Sequence, residues 1–237
     1  MKKAYNLLVN YMKSNNILYS MLLFVLLMLF ATVYAKSYKN SSELNLIGKV
    51  IFIDPGHGGR DSGTTYGKIL EKDINLQISL ALQEELGKQG AIVYMTRDKD
   101  DDLSSEYDYR KKRGDLYRRI LKISEPNVHT DLYLSIHINW FNNPYWGGAE
   151  VLYNSINPNN KKLGEIILNN LKKDTGTKRA LKTTDLYMYK NISIPGVLIE
   201  CGFLSNYKDR TSMQNKEYQI LLAKSITNSV IEYFNTY

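Results

Sequence analysis

Apolar and polar positions change period several times along this chain of 237 residues, and each change marks an element. Residues 17–34 (ILYSMLLFVLLMLFATVY) are apolar almost throughout and carry no charge, close to the length a bilayer-spanning helix needs. Lys2, Lys3 and Lys13 flank this stretch, and residues 1–35 contain no acid. The pattern predicts an export element over residues 1–35. It is either a signal peptide cleaved after the small-residue site Val33-Tyr34-Ala35 or a retained signal anchor, with the lysines on the cytoplasmic side. Polar residues 36–48 read as a linker, and residues 49–237 as one catalytic-sized domain.

Within that domain, short apolar runs bounded by turn residues predict strands, and apolar stripes stepping by four predict helices. Residues 50–53 form the first strand. It stops at Asp54-Pro55-Gly56-His57-Gly58-Gly59, because Pro55 lacks a donor and three glycines punctuate a loop. Ile74, Ile78, Leu82 and Leu86 lie on one face of a helix over 71–90 that Gly90 ends. Further strands are expected over 91–96, 132–136, 149–153, 186–190 and from Gly196. Further helices are expected over 108–124, 160–173 and 216–234, the last with Ile220, Ala223, Ile226, Val230 and Phe234 on one stripe. This alternation implies an α/β fold: a single mixed, mostly parallel central sheet with helices on both faces.

The candidate chemistry falls at strand ends. His57 follows the first strand on its glycine-rich loop, at the edge where α/β sheets bind ligands. Alone it reads equally as a metal ligand, a base or a turn residue. Downstream, Glu71 opens a helix, His137 closes the run 131–139 and Glu200 closes another apolar run. His57, Glu71 and His137 make a His₂Glu set, the mixture a catalytic zinc uses while keeping a fourth position open. Glu200 remains as a carboxylate suited to general-base work. His129 stands eight residues before His137, about 26 Å away along an extended chain, too far to share a metal. Asn139 either hydrogen-bonds substrate, orients His137 or satisfies the loop backbone. Asp54 either holds the His57 loop or caps the turn. Cys201 adjoins Glu200, but alternation turns it to the opposite face, so it reads as a buried structural thiol.

DPGHGG, the glutamate heading the following helix, SIHIN, GGAEV and IECGFLSN, in that order, resemble the zinc-dependent N-acetylmuramoyl-L-alanine amidases, the cell-wall amidases of the amidase 3 type. The likeness runs from about Lys49 to the end of the chain. DLYRRI before the SIH strand, WGGAEV after it and the lack of an added domain resemble the germination-specific amidases of spore-forming bacteria. The resemblance implies Zn²⁺ on His57, Glu71 and His137, with Glu200 transferring the proton. The reaction implied is hydrolysis of the amide between N-acetylmuramic acid and L-alanine in peptidoglycan. In spore cortex it precedes muramic-δ-lactam formation. Arg119 matches an arginine that recurs before the SIH strand, with a structural role expected. A self-blocking helix found in some members is not expected here, because the connection after 149–153 is short.

Three other readings compete. A vegetative wall-turnover amidase would use the same chemistry. A zinc deacetylase or peptidase would use the same metal site on another amide. A non-catalytic wall-binding protein on this fold is disfavoured, because all four chemical positions are filled.

Charge and composition narrow the partners. The formal charge is +7, of which the N-terminal lysines supply three, leaving +4 for the rest. A modest basic excess suits an anionic wall or membrane surface. Nucleic acid is excluded by the lack of zinc-finger spacing or of a basic stripe with interleaved aromatics. The single cysteine rules out an intramolecular disulfide framework, and the acidic run 98–102 lacks calcium-loop spacing. Trp140, Phe141, Tyr145 and Trp146 either stack on sugar or glycopeptide, or seal their loop. The expected partners are the glycan strand and stem peptide, the membrane through the N-terminal segment, and a membrane-tethered activator protein. The expected location is outside the cytoplasmic membrane, anchored or secreted, and in the spore reading facing the forespore cortex.

Overall fold

The computed structural model describes residues 2–40 and 44–237. They belong to two units, residues 1–43 and 44–237. The first is one helix, α1 (Lys2–Asn40), which contains the apolar run. Among the described residues, no helix is long and apolar enough to cross a membrane. The side chains around the expected cleavage position, residues 33–35, and residues 41–43 of the expected linker lie outside the described residues. The second unit begins at Leu44, ahead of Lys49: Leu46 is fully buried, and its N–H donates to Gln89 O at 2.9 Å.

The second unit is a six-stranded sheet in the order β4-β1-β5-β8-β6-β7. Its strands are β1 (Val50–Pro55), β4 (Ile92–Met95), β5 (Leu132–Asn139), β6 (Glu150–Tyr153), β7 (Lys182–Thr183) and β8 (Gly196–Phe203). Strands β4, β1, β5 and β8 run parallel, β6 runs antiparallel to β8, and β7 runs parallel to β6. A two-stranded ribbon, β2 (Thr65–Tyr66) with β3 (Ile69–Leu70), stands apart from the sheet. The helices are α2 (Glu71–Lys88), α3 (Lys111–Ile123), α4 (Pro158–Thr175), α5 (Tyr207–Met213) and α6 (Lys216–Thr236). The expected mixed α/β sheet is therefore present.

Strand parity divides the core in two. Ile51, Ile53, Leu134, Ile136, Val197 and Ile199 face α2, α4 and α6, where Ile78, Leu82, Ile167 and Ile226 meet them. Phe52, Tyr133 and Leu198 face the other way, against Ile120 and Ile123 of α3 and against Met188, Tyr189 and Ile192. Burying such side chains removes apolar surface from water at about 25 cal/mol per Å². Cys201 lies in the first core, on the face opposite Glu200, as alternation requires.

Two boundaries differ from expectation for identifiable reasons. β1 continues through Asp54 and Pro55, paired with Ser135 and Ile136. Gly56 N bonds Ile136 O on the β5 side, so the proline nitrogen faces the other side, where β4 has already ended. No ladder donor is needed there. The expected strand over 186–190 is a turn leading into a single 3₁₀ turn (Tyr189–Asn191), closed by bonds from Tyr189 N and Lys190 N to Leu186 O. The apolar positions 188, 189 and 192 follow helical rather than alternating spacing. The strand of this region is β7.

Candidate metal centre

The carboxyl-terminal ends of β1, β5 and β8 carry Asp54, Ser135, His137 and Glu200 on the face that α3 covers. His57 sits just beyond β1 with φ 61°, a left-handed backbone unusual for a side-chain-bearing residue. Two buried arginines hold it there. Arg119 donates to Pro55 O at 2.7 Å and to His57 O at 2.6 Å. Arg97 donates to Pro55 O at 3.0 Å and to Gly56 O at 2.9 Å. Gly56 passes so close under His137 that a Cβ would overlap the imidazole. Gly63 (φ 66°) brings the returning loop against Glu71 and His57.

Three donors converge. Glu71 Oε1 stands 3.2 Å from His57 Nε2 and 3.1 Å from His137 Nδ1, and a donor atom from each residue lies within 4.8 Å of the others. The carboxylate is aimed by Thr64 N to Oε2 at 2.8 Å, and by Ile138 N and Asn75 Nδ2 to Oε1 at 3.1 and 3.2 Å. Asp61 Oδ2 lies 2.9 Å from His57 Nδ1, the carboxylate–histidine pairing that orients a metal-binding imidazole. The β5–β8 ladder shifts register between His137 and Asn139, a bulge of the kind that re-aims side chains beside sites.

The electrostatics call for positive charge in this triangle. Burial would depress the His57 imidazolium, but hydrogen bonds and charge from Asp61 and Glu71 outweigh it and raise the pKa to about 9. Burial would raise Glu71, yet hydrogen bonds and charge from His137 and His57 push it far below the usual carboxylate range. Either a proton or a cation answers that demand, and nitrogen and oxygen donors at this spacing suit zinc.

Glu200 faces the same cleft, a cavity of about 350 Å³ lined also by Leu116, Lys112, Leu186 and Tyr187. Its Oε2 is buried without a hydrogen-bond partner among the described residues. Burial, then the charges of Glu71 and Glu150, raise its pKa well above the ordinary value. Glu150 is its cross-strand partner and is held by Lys182 Nζ at 2.8 Å.

The other candidates fall elsewhere. Both polar atoms of the Asn139 side chain are engaged within the protein: Nδ2 donates to Glu150 Oε1 at 2.9 Å, and Oδ1 accepts from Trp140 N at 2.7 Å. Asp54 does not touch the His57 ring. It accepts from Arg119, Thr96 and Ser135, each at 2.7 Å, and so holds the loop through Arg119. His129 is 91% exposed beside Asp131. The acidic turn is more than solvated surface, because Asp100 accepts from Gly59 N and Lys72 Nζ and so braces the glycine loop. Sequence reasoning missed Asp61, Asn75 and Arg97. Asp61 hides in a polar loop, but its spacing of four from His57 was visible. Arg97 and Asn75 carry no sequence signal.

This fold and donor set define an α/β protein with a His₂Glu centre beside a free carboxylate. The chain belongs to the N-acetylmuramoyl-L-alanine amidase family, whose pattern matches residues 51–232, and it is an amidase acting on peptidoglycan. It is 37% identical over 224 residues to the germination-specific N-acetylmuramoyl-L-alanine amidase of Bacillus subtilis, covering 91% of this chain and 93% of that one. It is 31% identical to the B. subtilis amidase LytC, over 87% of this chain and 40% of that one. The CwlD amidase of Clostridioides difficile, solved in complex with the GerS lipoprotein, superposes with a TM-score of 0.76 at 34% identity, over 80% of this chain and all of that one.

Proposed function

We propose that this protein is a zinc-dependent N-acetylmuramoyl-L-alanine amidase of the spore cortex. The observation that carries the reading is the convergence of His57, Glu71 and His137 next to the unpartnered Glu200 Oε2. His57, Glu71 and His137 hold the Zn²⁺. When bound, the ion supplies Lewis-acid activation of water and of the scissile carbonyl. Glu200 Oε2 takes the proton of the attacking water and delivers it to the departing amine of L-alanine. A raised proton affinity suits a carboxylate that must first take a proton from water before passing it to a more basic amine. Asp61 and Glu71 fix the rings, and Arg119 and Arg97 fix the loop that carries His57. Cys201 takes no part, since it faces the opposite core and burial pushes its thiol up.

Metal content and product analysis test this together, on wild type, His137→Ala and Glu200→Gln. The expected outcome is stoichiometric zinc in wild type and Glu200→Gln, none in His137→Ala, and free stem peptides released by wild type alone. Acetate release would point to a deacetylase instead.

The spore role rests on similarity to the germination-specific relative along nearly its whole length. Cortex from a strain lacking the gene is expected to lack muramic-δ-lactam. Normal lactam content would move the enzyme to vegetative wall turnover. Export by the basic, apolar N-terminal segment brings the catalytic unit to this substrate. The related amidase solved with a lipoprotein supports a membrane-tethered activator here too. Full zinc occupancy and activity of the isolated protein would argue against that partner.

A further inference from the structure

Tyr187 lines both the catalytic cleft and a second groove of about 460 Å³, whose wall also carries Arg110, Arg113 and Tyr117. We propose that this second groove binds the stem peptide through its carboxylates, with Arg110 and Arg113 as the recognition residues. The proposal rests on the amidase reading and adds a direction to the substrate.

Both arginines are exposed, and neither pairs with a carboxylate among the described residues. The guanidinium of Arg113 lies 5.3 Å over the Tyr187 ring, and both residues line the groove. The one acid of the groove, Asp108, is committed to Arg118 and to Ser105 N. Nearer the catalytic centre, Lys112 stands at the cleft wall, 71% exposed and paired with Asp61 at 3.5 Å. Arg110 and Arg113 are therefore the groove's two cations without a carboxylate partner among the described residues.

The two sides of the scissile amide differ in chemistry. The muramoyl side is a bulky sugar, and the alanine side is a narrow peptide. That peptide bears a terminal carboxylate and, where glutamate is joined through its side chain, a free α-carboxylate on its second residue. Extended chain advances about 3.5 Å per residue, so this carboxylate stands about 7 Å from the reacting bond. By contrast, the arginines near the aromatic residues of the ribbon and the loop after β5 are engaged: Arg210 packs over Tyr66 and Arg179 over Trp146, at 3.6 and 4.0 Å, and they donate to Leu204 O and Gly147 O. Those guanidinium groups are committed to carbonyls, while the groove beside Tyr187 offers forks unpaired with any carboxylate among the described residues, which suit a carboxylate ligand.

The test uses the full chain and two matched substrates, a disaccharide-peptide with free carboxylates and the same compound with those carboxylates as carboxamides. Wild type is expected to favour the anionic form in kcat/KM. Arg110→Gln/Arg113→Gln is expected to reduce that preference by roughly three- to fivefold per charge, the scale of an exposed pair. Calorimetry with the released peptides, free and amidated, reads the same preference without turnover. Arg113→Lys is expected to keep much of it, and rising salt to erase it. Equal affinity of wild type for both peptides, or a salt-independent preference, overturns the proposal. Absence of hydrolysis of either substrate by zinc-loaded wild type would instead overturn the amidase reading, leaving the peptide-binding result to stand or fall by itself.

Discussion

Arg119 is almost wholly buried, and its guanidinium reaches Asp54, Asp115, Pro55 O and His57 O. Guanidinium has five donors in a fixed fork, and here the fork ties strand β1, helix α3 and the His57 loop together. Arg119→Met would leave Asp54 buried and charged without its partner, a loss of about 3–5 kcal/mol, readable by urea denaturation. The same pair sets an acid limit. Burial would raise the Asp54 carboxyl, but the Arg119 charge and hydrogen bonds from Thr96, Ser135 and Arg119 outweigh it, so its pKa lies below the ordinary 3.8. A depressed folded pKa stabilises the fold above the unfolded value and ceases to do so as pH falls through the folded one. Stability is thus expected to decline as pH drops below 3.8. The slope in that range should lessen in Asp54→Asn; an unchanged slope would remove Asp54 from the acid transition. At Glu200 the expectation concerns rate. Glutamine keeps the shape but cannot cycle a proton, so Glu200→Gln should hold zinc and lose about 10²–10⁴ in kcat. Turnover within tenfold of wild type would take Glu200 out of the proton path.

At the scale of elements, the site is a product of strand parity. His137 and Glu200 are register partners on adjacent strands, and each alternate residue inward is apolar or a small hydroxyl, so chemistry collects on one face and one edge. This was legible in the sequence, because a strand end in a polar residue reads the same whatever packs behind it. Hence His137 and Glu200 could be singled out without coordinates, whereas His57 on its loop and Glu71 at a helix start joined them through donor type and the order of the motifs. Arg97, Asn75 and the bracing role of Asp100 could not, since each acts on a backbone atom of the glycine loop 19 to 42 residues away, and nothing in residue type signals such a bond. The 3₁₀ turn at Tyr189 failed for another reason: five mixed residues fit both periods, and only packing against Tyr133 decides. Two substitutions separate site geometry from element stability. Gly63→Ala strains a left-handed backbone and drives a methyl into Glu71 and His57, so zinc affinity should fall while the far-ultraviolet spectrum persists. Asn215 caps α6 by accepting from Glu217 N and Tyr218 N at 2.7 and 3.2 Å. Asn215→Ala should cost about 1 kcal/mol without altering metal content.

For the whole molecule, the question is whether the catalytic unit needs its metal to fold. In small zinc domains the ion is the core, and chelation unfolds them. Here two apolar cores lie on opposite faces of a six-stranded sheet, and the ligand loop is pinned by Arg97 and Arg119 through backbone carbonyls, not through the donors themselves. The donors also compensate one another, with Glu71 between two imidazoles at 3.2 and 3.1 Å. Removing a cation returns that demand to protons rather than leaving bare charge. A chelator should therefore abolish hydrolysis while leaving a cooperative thermal transition, with Tm lowered by the binding free energy alone, RT ln(1 + [L]/Kd). Added zinc should restore both activity and Tm. Loss of the cooperative transition on chelation, with a spectrum typical of unfolded chain, would show that the loop grip cannot hold the site and that metal loading is a folding step.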